Sequence, residues 1–120
     1  MHTIDFGGVI RRYPQLAGAC SAIQRWLASH PRIDHIEPIR ILRAEPKLEP
    51  WEVTAVLTVL VEDGQLEQAY QMLGPGMSLA QEGPFGSPRD IPKVLHDVDD
   101  NPFKRSNGEL IPVYREIAIR

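Results

Sequence analysis

PWEVTAVLTVLVEDGQLEQAYQMLGPG, residues 50–76, reads as a helix running directly into a strand. Val53, Val56, Leu57, Leu60 and Val61 recur at i, i+3, i+4, i+7 and i+8, which lays an apolar stripe along one helical face. Pro50 suits the first helical turn, where a missing N–H costs no hydrogen bond. Asp63-Gly64 ends the helix, since glycine enters the left-handed region without steric penalty. From Leu66 to Leu73 the residues alternate, with Leu66, Gln68, Tyr70 and Met72 on one side and Glu67, Ala69, Gln71 and Leu73 on the other.

Outward from this stretch, residues 14–30 form a second helix pattern. Leu16, Ala19, Cys20, Ile23, Leu27 and His30 share a face, with Trp26 at its margin, and Pro31 stops the helix. Residues 33–45 predict a shorter helix. Ile36, Ile39 and Leu42 recur every three residues, Pro38 sits in the first turn and Pro46 ends it. Residues 9–13 read as a short strand or as the approach to the helix at 14. Residues 74–92 contain four glycines and four prolines, too many for a continuous regular element. Within 90–98, Ile91, Val94 and Leu95 fit one or two helical turns, and residues 97–102 read as an acidic turn. Asn107-Gly108 signals a turn before a last strand over 110–119, expected to pair with Leu66–Leu73. Pro112 has no N–H to donate, which places that strand at a sheet edge.

The order helix, turn, helix, strand around residues 33–76 resembles the winged-helix family. The resemblance implies an α+β fold with three helices, a small antiparallel wing sheet and a long Gly/Pro-rich wing loop. It places all 120 residues in a single domain: 1–32 as an N-terminal extension and helix, 33–73 as the helix-turn-helix core with the first wing strand, 74–109 as the wing loop and 110–120 as the last strand. Such domains bind DNA or dock on other proteins, and the fold does not decide between the two.

Composition narrows the choice. Thirteen basic and sixteen acidic side chains leave a net charge of −3, which disfavours a strong hold on nucleic acid. The outward side of the helix at Pro50 is expected to present Glu52, Thr54 or Ala55, Thr58, Val59 and Glu62, with no Lys or Arg for base edges or phosphates. A non-enzymatic adaptor or regulatory subunit is therefore the first reading. It docks on another protein through Ala55, Thr58, Val59 and Glu62 and through the wing loop at Met77 and Phe85, and a homodimer is compatible with it. The alternative is a DNA-binding regulator that uses Arg40, Arg43, Lys47, Arg89 and Lys93.

No motif for a cofactor, metal or catalytic centre stands out. Cys20 is the only cysteine, which excludes an internal disulfide. Residues 97–101 begin like a calcium loop, but Pro102 and Gly108 stand where that loop needs Gly and Glu. His96 beside Asp97 offers a base and an orienter, but neighbours in sequence seldom face each other and no nucleophile is signalled nearby. His30 and His35 are poorly spaced as a metal pair. No apolar run reaches membrane-spanning length and no signal-peptide layout appears, so a cytoplasmic protein is expected.

Overall fold

The computed structural model describes residues 3–117. In order, they form α1 (Gly7–Arg12), α2 (Ala17–Ala28), α3 (Pro38–Ala44), α4 (Pro50–Glu62), β1 (Leu66–Leu73), β2 (Val94–His96), β3 (Pro102–Lys104) and β4 (Glu109–Glu116). Short 3-10 turns occupy several connections. β1 pairs with β4 in one two-stranded sheet and β2 with β3 in another. This is an α+β arrangement of helices followed by two small antiparallel sheets, winged-helix-like at a coarse level. The described residues pack as two compact units: one holds 3–67 and 114–117, and the other holds 68–113.

The first unit is built around α4. Pro50 is its first residue, and the Glu49 N–H donates to the Glu52 carboxylate at 3.0 Å, so an otherwise orphaned donor is satisfied. Gly64, at φ +73°, turns the chain out of the helix. Val53, Val56, Leu57 and Leu60 are fully buried, each stabilising the fold by about 1.5–3 kcal/mol relative to exposure. They join Leu16, Cys20, Ile23 and Ile41 in one core.

Two expectations fail here. Of the two readings of residues 9–13, the short strand fails: residues 9–12 belong to α1, which buries Val9 and packs on α2 and α4, giving four α-helices among the described residues. Val59, expected on the outward side, is 7% exposed, while Val61 is only partly buried. With α1, α2 and α3 all packed against it, α4 is covered over a wider arc than one apolar stripe.

Tyr114 completes this unit. It exchanges backbone hydrogen bonds with Ile36, at 2.6 and 3.0 Å, and is buried in the same core. Strict alternation along β4 therefore fails, because Val113 and Tyr114 are both buried. Residues 118–119, expected at the end of this strand, lie outside the described residues. In β1 alternation also breaks, at Gln71 and Met72, which are both buried.

The second unit contains the segment 74–109 read as a wing loop, and that segment holds two strands, β2 and β3, over a core of its own. β2 and β3 pair as Val94↔Lys104, Leu95↔Phe103 and His96↔Pro102. The middle pair points inward with Met72, Ala80 and Ile91, while Tyr70 and Phe85 pack against them. The helical turns expected over 90–98 are replaced by β2, since Ile91 and Leu95 are buried while Val94 is 50% exposed. The Gly/Pro-rich stretch is tied down by backbone: Tyr70 and Phe85 exchange two hydrogen bonds of 2.8 Å. Buried Gln71 donates to the carbonyls of Ala80 and Glu82 at 2.9 and 3.1 Å. Gly108 is required by space. A Cβ there would stand 2.9 Å from Met72 Cε and 3.0 Å from the Phe103 ring.

Candidate functional site

On the outward face of α4, Trp51, Thr54, Thr58 and Glu62 are exposed and Ala55 is half-buried. Their spacing of three or four residues aligns them in one row. At its head, Trp51 is 61% exposed, which sets a large indole in water. The row contains no Lys or Arg. Of the residues that the sequence placed on this face, Thr58 and Glu62 are exposed, Ala55 is half-buried and Val59 is buried, while Trp51 was not named. The signal was available, since Trp51 stands three residues before Thr54 and seven before Thr58, off the apolar stripe.

The other interaction candidates lie elsewhere. Met77 is 58% exposed on a 3-10 turn of the second unit. Phe85 is half-buried and packs one side against that unit's core.

The basic candidates of the first unit are dispersed in their roles. The Arg40 guanidinium lies 5.8 Å from the centre of the buried Trp26 ring. The Trp26 ring also stacks on His30 at 4.4 Å. Arg43 and Lys47 are exposed. Beside them Arg25 pairs with Glu45 at 3.7 Å, a contact that weakens the local positive potential. Elsewhere in the unit Arg12 pairs with Asp63 at 2.5 Å, and Arg115 bonds Glu67.

Arg89 and Lys93 have a different setting, because Lys104 and Arg105 join them. Arg89 and Arg105 line one open cavity of about 440 Å³ together with Met72, Ile91 and Leu110. Lys93, Lys104 and Arg105 line another of about 400 Å³ with Val94. Neither Lys104 nor Arg105 stood out in the sequence, because only the β2–β3 register brings them beside Lys93.

His96 pairs with Glu82 and not with its sequence neighbour Asp97, in keeping with the rule that adjacent side chains seldom face each other. His96 Nδ1–H donates to Glu82 at 2.6 Å, and the His96 backbone N–H donates to the same carboxylate at 2.8 Å. These bonds hold the Glu82 carboxyl below its ordinary range, and the bond to Glu82 raises the His96 imidazole above its own. Asp97 instead accepts the N–H groups of Asp99 and Asn101, both at 2.9 Å, and so closes the acidic turn. Cys20 is buried, and burial pushes its thiol pKa upward, away from the reactive thiolate. Among the described residues, no group of three His, Cys, Asp or Glu is placed to hold a metal ion. No described helix is long and apolar enough to cross a membrane. Comparison with protein families, curated proteins and solved structures returns no match.

Proposed function

We propose that this chain is a non-enzymatic protein-interaction module of the winged-helix type, docking on a partner protein through the outward face of α4. The carrying observation is Trp51, 61% exposed at the head of a row that offers hydroxyls and one carboxylate but no cation. Exposing an indole forgoes the burial that usually stabilises it, and tryptophan is the side chain most enriched where interface energy concentrates. Glu62 at the far end sets the charge of the partner. It is a protein surface with an apolar cleft for the indole and a Lys or Arg near the carboxylate.

The alternative, DNA recognition by α4, is disfavoured by the same face. A helix in a major groove reads bases and phosphates through donors, which Glu62 opposes. Arg40, one of the cations on which that reading depends, is engaged with the Trp26 ring.

A photo-crosslinking residue in place of Thr58 tests the proposal in the source cells. One discrete protein adduct is expected. It should disappear when Trp51→Ala is added, since losing an anchor of about 2 kcal/mol weakens binding roughly thirtyfold. The same crosslinker at exposed Gln24 on α2 should give no such adduct. An adduct that survives Trp51→Ala, or one made with nucleic acid, overturns the reading.

A further inference from the structure

We propose that residues 68–113 carry a second docking site, selective for an acidic peptide segment with interleaved apolar side chains. It is independent of the α4 face. This part of the chain has only four cations, against six carboxylates. Yet all four, Arg89, Lys93, Lys104 and Arg105, line the two cavities that share Arg105. No carboxylate lines either cavity. Among the described residues, no salt bridge includes any of the four, and neither Asp90 nor Glu109, their nearest acidic neighbours in sequence, lines these cavities. Gathering like charges without counter-charges costs folding stability through repulsion. A bound anion would relieve it.

The strand register explains the gathering. Leu95 and Phe103 point into the core, so the neighbouring pair Val94↔Lys104 points outward. The Arg105 N–H donates to the Lys93 carbonyl at 2.8 Å, which extends the pairing by one step and sets these two cations side by side. The Arg105 guanidinium is then fixed by a 2.9 Å hydrogen bond from Nη1 to the Ile91 carbonyl. Its remaining donors are held in place for a carboxylate.

The apolar lining decides the class of ligand. Val94 is 50% exposed and Leu110 45%, and both lie among the cations. A carboxylate-rich peptide with aliphatic side chains matches both features. Single-stranded nucleic acid needs rings on which bases stack, and no aromatic side chain lines either cavity.

Fluorescence anisotropy on the full chain tests this with a short labelled peptide of alternating Glu and Leu. Saturable binding at low salt is expected, weakening as salt rises. A Glu–Ser peptide of equal charge and a single-stranded oligonucleotide of equal charge should both bind more weakly. Lys93→Glu with Lys104→Glu should weaken the Glu–Leu peptide roughly tenfold, since both side chains are exposed and make no bond within the fold. Arg43→Glu in the first unit and Trp51→Ala on α4 should leave it unchanged. Absence of binding at low salt overturns the proposal. So does an unchanged affinity in the Lys93/Lys104 double variant, or an oligonucleotide that binds more tightly than the peptide.

Discussion

The clearest electrostatic pair in the chain joins residues fourteen apart, Glu82 and His96. Its pH dependence follows from the two shifts. His96 is raised above its ordinary 6.5, so its contribution to stability is full below that value and is lost as pH rises through the folded-state pKa. Glu82 is lowered below its ordinary 4.5, so its contribution is full above that value and is lost as pH falls through its folded-state pKa. The pair therefore stabilises most between about pH 4.5 and 6.5. The denaturation midpoint of the natural chain should exceed that of His96→Asn most clearly in that window, with the gap narrowing on either side. NMR titration of the His96 ring should give a pKa above 6.5, and a value at or below it would remove the argument. Sequence reading missed this partner because Asp97 was the nearer carboxylate. Adjacent residues on an extended strand point to opposite sides, whereas Glu82 reaches His96 from a separate segment.

At the scale of elements, the helices were legible wherever proline and glycine punctuate the apolar period. Pro38 and Pro50 begin α3 and α4, and Gly64 ends α4. α1 was not legible, because two glycines open it and only Val9 is buried from it, too little to establish a period. β2 and β3 were hidden for a related reason: three residues each are too few to show alternation, and their pairing fixes them instead. α4 is the element on which the first unit depends, and Leu57 lies at its centre with no exposed surface. Leu57→Ala should cost about 2–5 kcal/mol, the lost transfer energy plus the cavity left among three packed helices. Chemical denaturation measures this. A loss below about 1 kcal/mol would mean that the neighbouring helices collapse into the space and that α4 is not the rigid centre of its unit. Thr58→Ala on the same helix, exposed, should change stability by no more than about 0.5 kcal/mol.

For the whole molecule, the total charge and its placement make different statements. A net charge of −3 describes a chain that repels a polyanion at long range. Placement adds how each unit uses its own cations. Those of the first unit are spent partly on Glu45, Asp63, Glu67 and the Trp26 ring, and those of 68–113 gather around two cavities of their own. Sequence showed the excess of acid but not this division, because charges per segment do not reveal which are already engaged. DNA recognition of the winged-helix kind requires several phosphate contacts, each lowering log K by about 0.9 per decade of salt. A gel-shift series with a random duplex should therefore show no retained complex at physiological salt. Any complex at low salt should have a shallow slope and be insensitive to Arg40→Ala with Arg43→Ala. A steep slope that flattens in that double variant would mean that the α3 side of the first unit grips DNA despite α4, and the docking role assigned to Trp51 would then fall.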